Sequence, residues 1–433
     1  MILLYCQHIN PRLQYIVQTI LSEEVLLTND IENYKSFDGL KINYSINKIA
    51  LQELHIKPFG LMEETGIREF KPECISWYNL TAFCMVEEAD ITFDIFSASF
   101  YLLSRYEEYL PHSVDEYGRY HHSNSLAFKH HFLDTPVINL WWAELNKIWK
   151  KKLQTSVSLL KNTSFKFIPT YDVDIAYQCK GKRLLHNMLS LSASLIKFKK
   201  VDSNNKWQYL MNNKDAFDTF GWLDNLHKQH HLQPIYFLLT ILERGVNDKN
   251  LHASTPALQE LYQQLSETYT TGIHPSWQSS EVDDLMEEEI GCLQSITNQP
   301  VTLSRFHFLR FTLPDFYYKL IRLGIKEDFS MCYGSRNGFR ASLANPFLWY
   351  DLKNETITDL LIHPFSFMEA TAHFSEKKTA EQALGEMIEQ YDIVKSINGE
   401  FITLFHNHFL AEDKDWKPWR NMYQTFINKK YSY

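Results

Sequence analysis

The chain has 433 residues, 45% of them hydrophobic, which is more than one typical domain and enough to bury a sizeable core. Its 52 acidic and 43 basic residues leave a formal net charge of −9, with no basic patch dense enough to bind a phosphate backbone, so nucleic acid is set aside as a partner. The six cysteines (Cys6, Cys74, Cys84, Cys179, Cys292 and Cys332) make no CxxC pair and read as scattered reduced thiols rather than a disulfide framework.

The opening MILLYCQHINPRLQ lacks a basic leader, and its apolar run is short. It is expected to form a first β-strand, not a signal peptide, which points to the cytoplasm. No stretch approaches the roughly 20 apolar residues that span a bilayer. PRLQYIVQTIL has helical spacing and LKINYSIN alternates, as in a small α/β unit. Two helices are expected over Asp94–Leu110 and Ile138–Leu153, the second ending in lysines that suit a helix C-terminus. Between them PHSVDEYGRYHHSNS is polar and punctuated by glycine, hence a loop. A first domain is expected over residues 1–160 and a second over 161–433, with the linker near KNTS.

From about residue 163 short apolar runs alternate with longer helical patterns: FKFIPTYD, QPIYFLLT, TTGIHPSW, VTLSRFHF, DFSMCYG, DLLIHPFSF and EFITLFHN. This alternation predicts βα units around a parallel sheet, about seven strands in a deformed (β/α) barrel. The polar KKVDSNNK (Lys199–Lys206) reads as an exposed loop. Asp172, Asp174, His274, Arg305, His307, His363, His406 and His408 all fall at or near the ends of these runs, which predicts convergence on one rim.

Asp172 and Asp174 are two apart and share one side of an extended segment. They suit a cation ligand and a base, or a turn with a helix cap. His274 lies in GIHPSW, where Pro and Ser stiffen the turn after the strand. Strict alternation from Ser304 puts Arg305 and His307 on one face. Arg305 is suited to orienting a carboxylate, His307 to sharing a metal, and the plain alternative is an internal salt bridge. His406, in LFHN, is a candidate general acid, since an unperturbed imidazole suits proton transfer near neutrality; the plain alternative is a capping or core histidine. The pairs His121–His122, His130–His131 and His230–His231 read as surface residues.

TYDVD, GIHPS, SRFHFLRF and LFHN, in this order, resemble the motifs of the NodB-homology polysaccharide deacetylases, carbohydrate esterase family four. The resemblance covers residues 163–433. It implies a divalent metal, usually zinc, and removal of acetyl groups from N-acetylated sugar oligomers or polymers. It implies Asp172 as base, Arg305 as the arginine that steadies it and His406 as acid. Asp174 and His274 are the implied metal ligands, and His307, from its strand-end position and the face it shares with Arg305, is the candidate for the third. The family's adjacent Asp-Asp is Asp-Val-Asp here, and Gln278 stands where a second histidine of the GIHPS motif is usual. ASLANPFLWYDL and IHPFSFMEATA sit where related sequences carry further strand-end elements. FYLLSRYEEYLP with DEYGRY resembles an uncharacterised domain that precedes such barrels in Bacteroidetes-like proteins. Two other readings stay open: a non-catalytic carbohydrate-binding or scaffold protein on this fold, and a hydrolase of other C–N bonds.

Overall fold

The computed structural model describes residues 1–282 and 284–431. Four strands, β1 (Ile2–Cys6), β2 (Val25–Thr28), β3 (Leu40–Tyr44) and β4 (Leu54–Ile56), make a parallel sheet in the order β2–β1–β3–β4. The helix Pro11–Ile20 returns the chain from β1. Asn10 caps it by accepting the Leu13 N–H, and Pro11 takes the first helical position, where no N–H is missed. A small antiparallel hairpin, β5 (Ile75–Trp77) with β6 (Leu80–Ala82), follows.

Helix Ile95–Leu103 begins on Asp94, but it stops before the expected Leu110. Arg105 adopts a left-handed φ of +53°, and Tyr106–Tyr109 form a separate 3₁₀ turn. The break turns the Arg105 guanidinium inward onto buried Glu107 and Glu108. The helix Val137–Lys152 then packs Trp141, Trp142 and Trp149 into the core.

The second sheet has nine strands rather than about seven. They are β7 (Lys166–Val173), β8 (Ile235–Leu239), β9 (Thr270–His274), β10 (Leu303–Ser304), β11 (Glu327–Asp328), β12 (Phe347–Asp351), β13 (Thr356–Ile362), β14 (Phe367–Met368) and β15 (Glu400–His406). Their order is β12–β13–β11–β10–β9–β8–β7–β15–β14, parallel throughout except for the β12–β13 pair. The class is α/β as expected. The barrel is not closed: β12 and β14 remain as edges of an open sheet.

The open sheet nevertheless rolls. His363, next after β13, stacks on Phe329 with its Nδ1 3.2 Å from Glu400 at the start of β15. β13 and β15 are second and eighth in the ladder, so only a curled sheet brings them into contact. Alternation along each strand sorts residues between the two faces. Tyr171 and Val173 join the large outer core under the helices. Ile168, Phe237, Ile402 and Leu404 form a smaller inner core with Phe329, Phe365 and Met368. Asp172, two residues past Thr170, lies on the inner face above that core.

One excursion departs from the expected loop at Lys199–Lys206. Residues Leu184–Ile196 and Lys200–Asn212 form a helical hairpin inserted after β7. Its polar residues satisfy one another: Lys206 Nζ lies 2.7 Å from both Ser194 Oγ and Asp202 Oδ2. That internal pairing joins the two helices through their polar sides.

Candidate functional site

Rolling the sheet gathers the strand ends at one rim, around a cleft of about 880 Å³. Asp172 ends the inner-face row of β7, and Asp174 follows just past the strand. His274 is the last residue of β9. Gly272, on the same face, is required there. A Cβ would meet the Leu303 carbonyl and the Phe237 ring at 2.8 Å, so only glycine lets β9 lie this close to β10 and the inner core.

Arg305 and His307 reach the rim differently from the expected strand. β10 is only two residues long. Arg305 leaves it with its N–H bonded to the Ile273 carbonyl, and His307 opens a tight turn in which Phe308 and Leu309 have φ of 60° and 52°. The turn, not strand alternation, aims both side chains into the site.

Each histidine is fixed through Nδ1. His274 Nδ1 donates to the Arg305 carbonyl at 2.6 Å, because a carbonyl can only accept. His307 Nδ1 donates to Asp248 at 2.9 Å and His406 Nδ1 to Glu369 at 2.8 Å. All three Nε2 atoms therefore turn toward Asp174. They stand 3.1 Å from Oδ1 for His274, and 3.5 Å and 3.3 Å from Oδ2 for His307 and His406. Among the described residues, neither Asp174 Oδ1 nor His274 Nε2, both buried, has a hydrogen-bond partner. In metal sites a histidine commonly anchors its other nitrogen in this way, leaving a directed lone pair.

Arg305 is fully buried. It donates to Asp172 Oδ1 at 3.0 Å, to Thr170 Oγ1 at 2.7 Å and to the Phe329 carbonyl at 2.9 Å, with its guanidinium 4.4 Å above the Phe237 ring. Asp172 Oδ2 lies 3.6 Å from His274 Nε2.

The charges interact strongly. Burial raises the Asp174 carboxyl, but His307 and then His406 outweigh it and hold the group well below its usual range. Burial lowers His307, yet Asp174 and Asp248 push it up to about 9. His406 is carried against burial to about 10 by Glu369 first and Asp174 next. His408 also lines the cleft. Burial and the nearby His406 depress it to about 3, so its ring is neutral.

All six expected site residues thus meet at the rim. His363 does not: it is held between Glu327 and Glu400 in the inner core, away from the cleft lining. Gln278 starts a 3₁₀ turn and lays its amide beside Gly245, where the Asp248 carboxylate also comes. His121, expected at the surface, lines the cleft; His122 is half-buried against Ser335, and His230 is buried.

Two contributors went unread in the sequence. Asp248 sits in a loop without periodicity and binds both His307 and the Trp277 N–H. Glu369 lies in IHPFSFMEATA, but nothing in its spacing distinguishes it. The loop between the first two long helices was also unassigned to the site. Arg119 pairs with Asp115 at 2.7 Å and donates to the Phe308 carbonyl at 2.7 Å, and Arg310 Nε donates to the Tyr117 carbonyl at 3.1 Å. These contacts hold Tyr117 against Phe308 as one wall of the cleft. Phe374 and Phe409 stand among the residues of the lining from the second region.

Residues 2–154 match a family of unknown function, DUF7033. No curated protein matches the chain. Among solved structures, a chain named as a polysaccharide deacetylase from Mycobacterium smegmatis is 11% identical with a TM-score of 0.41, covering 64% of this chain and 87% of its own. A Puue allantoinase is 11% identical with a TM-score of 0.39, covering 62% and 84%. The polysaccharide deacetylase Bc1974 of Bacillus cereus is 11% identical with a TM-score of 0.30, covering 62% and 89%. None of the three exceeds a TM-score of 0.41, too distant to assign an activity.

Proposed function

We propose that the chain is a metal-dependent hydrolase that removes acetyl groups from N-acetylated sugars. The observation that carries this reading is the pair of buried acceptors, Asp174 Oδ1 and His274 Nε2, facing each other at 3.1 Å with neither hydrogen-bonded. Two lone pairs pointed at one another in a buried site call for a cation between them. Asp174, His274 and His307 each offer a donor atom within 4.8 Å of the others. Donors bound to zinc at about 2.1 Å in a tetrahedron lie about 3.4 Å apart, and each Asp174 oxygen has a histidine nitrogen near that spacing, His274 at 3.1 Å from Oδ1 and His307 at 3.5 Å from Oδ2. Two imidazoles and a carboxylate also leave a fourth position for a reactant.

The cation would supply Lewis acidity toward an acetamide carbonyl and its attacking water. The chain's own groups perform the proton transfers. Asp172, oriented by Arg305 and Thr170, takes a proton from the water that attacks the acetyl carbon. His406 donates its Nδ1–H to Glu369, and the charges of Glu369 and Asp174 favour the imidazolium, which gives its Nε2 proton to the departing sugar amine. Tyr117, Phe308, Phe374 and Phe409 offer aromatic faces to a sugar in the cleft.

The test is acetate release from N-acetylglucosamine oligomers by the zinc-loaded protein. Asp172→Asn and His274→Ala are each expected to abolish it, and full activity in either overturns the assignment. A panel of cyclic amides separates sugar deacetylation from hydrolysis of other C–N bonds. A second reading, a carbohydrate-binding protein without catalysis, draws on the compensation of Asp174 by His307 and His406, which lets the cluster stand without a metal. Sugar binding with no zinc uptake supports it.

A further inference from the structure

The helical hairpin after β7 is inverted. In Leu184–Ile196 the residues turned inward include Asn187 and Ser194. Asn187 donates to the Cys179 carbonyl at 3.0 Å, and Ser194 pairs with Asp202 of the second helix. From that helix Asn205 reaches Asp413 at 2.9 Å. The outward stripe is apolar: Leu185, Leu189 and Ile196, with Phe198 at the turn and Trp207 and Met211 on the second helix. Exposure of these side chains runs from 52% to 87%. Nine of the 25 exposed large hydrophobic residues among the described residues fall within positions 184–212. Scattered single residues would need no explanation, but this concentration within one helical hairpin does.

The charge of the same segment is one-sided. Residues 175–201 contain Lys180, Lys182, Arg183, Lys197, Lys199 and Lys200 and no Asp or Glu, within a chain of net charge −9. Arg183, Lys197, Lys199 and Lys200 are exposed, and none of them forms an ion pair among the described residues. They bracket the first helix at both ends, beside its apolar stripe. Thirteen residues make a helix about 20 Å long, well short of the roughly 30 Å hydrocarbon core. Among the described residues no helix is long and apolar enough to cross a membrane.

We propose that this hairpin docks the protein on an anionic lipid bilayer, its apolar stripe entering the headgroup boundary and its flanking cations meeting lipid phosphates. An apolar face rimmed by lysine on a short surface helix has the chemistry of an interfacial helix. The long lysine side chains reach the phosphates while their stems stay in apolar surroundings. The hairpin follows Asp174 directly and precedes the helix Phe220–His230, so it projects from the same end of the sheet as the cleft. Docking therefore sets the cleft mouth near the bilayer surface.

The test is flotation of the full chain with vesicles of phosphatidylcholine alone and of phosphatidylcholine with one third phosphatidylglycerol. Recovery with the anionic vesicles is expected, little with the neutral ones, and a several-fold loss in high salt. The triple variants Leu185→Glu/Leu189→Glu/Phe198→Glu and Lys197→Glu/Lys199→Glu/Lys200→Glu are each expected to lower binding about tenfold or more. Both change only exposed side chains, so their melting temperatures should match the parent. Failure to float with anionic vesicles overturns the proposal. So does undiminished flotation of either folded variant, or sedimentation showing a dimer that these substitutions dissolve.

Discussion

Two of the buried charge clusters, one beneath the first region and one at the rim, differ in how their polar atoms are used. Beneath the first region, Arg105 and Arg340 meet Glu107 and Glu108. Arg340 binds Glu108 at 2.9 Å and 2.6 Å, and Glu107 also accepts the Leu126 N–H at 2.8 Å. None of these four side chains has a buried atom without a partner. At the rim, Asp174, Asp248, His274, Arg305 and Glu369 each leave one such atom. Two cations and two anions with all bonds made describe a structural joint. Orphaned acceptors that face one another describe a place kept for something else.

The largest effect should come from breaking the joint. Glu108→Ala strands two buried guanidinium groups and is expected to cost about 3–5 kcal/mol in thermal or urea unfolding. Burial raises Glu108, but Arg340 and Arg105 outweigh it and lower its pKa from 4.5 to about 2. A depressed carboxyl stabilises the fold above its unfolded pKa and stops doing so as pH falls through the folded one. The parent should therefore lose stability between pH 4.5 and 2, and Glu108→Gln should lack that component. An unchanged acid unfolding curve in the variant would mean that the joint is not the source.

The rim should behave in the opposite way. Zinc at a hundred times its Kd is expected to stabilise the parent by about 2.7 kcal/mol. In Asp174→Ala that rise in melting temperature should vanish, while the metal-free melt moves far less than for Glu108→Ala. Zinc affinity, measured by calorimetry, should climb as pH rises toward 9. The proton on His307, held to about 9 by Asp174 and Asp248, competes with the metal below that pH. One competing proton gives about a tenfold change per pH unit. A flat profile from pH 6 to 8 would remove His307 from the ligand set. The smallest effect is expected at the cleft wall: Tyr117→Ala should raise KM about threefold for a sugar oligomer and leave kcat unchanged, as does losing a contact made equally in the ground and transition states.

The strands that carry the site could be read from the chain because apolar runs bounded by polar residues signal buried parallel strands. FKFIPTYD, QPIYFLLT, TTGIHPSW and EFITLFHN each became a strand of four residues or more. The runs with Arg305 and Cys332 did not, since β10 and β11 are two residues each and the remainder turns across the rim. The antiparallel β12 was unread, as was the hairpin after β7, because the polar run KKVDSNNK carries no apolar period that would signal a helix. His363 shows the limit of reading strand ends. It follows a strand like the others, but the roll of the sheet points it at Glu327 and Glu400.

What the sequence alone determined is the α/β class and a short roster of chemically capable side chains. Residue type and period suffice for that, because they depend on only a few neighbours along the chain. Partnership was decided by the tertiary structure. Asp248, Glu369 and Tyr117 come from loops and short turns without a period, and each acts through a contact at least 37 residues distant in sequence. The same folding brought His307 to within 3.5 Å of Asp174. Which histidine faces the aspartate depends on how tightly β9 and β10 pack and how the next turn bends, and both are properties of the rolled sheet.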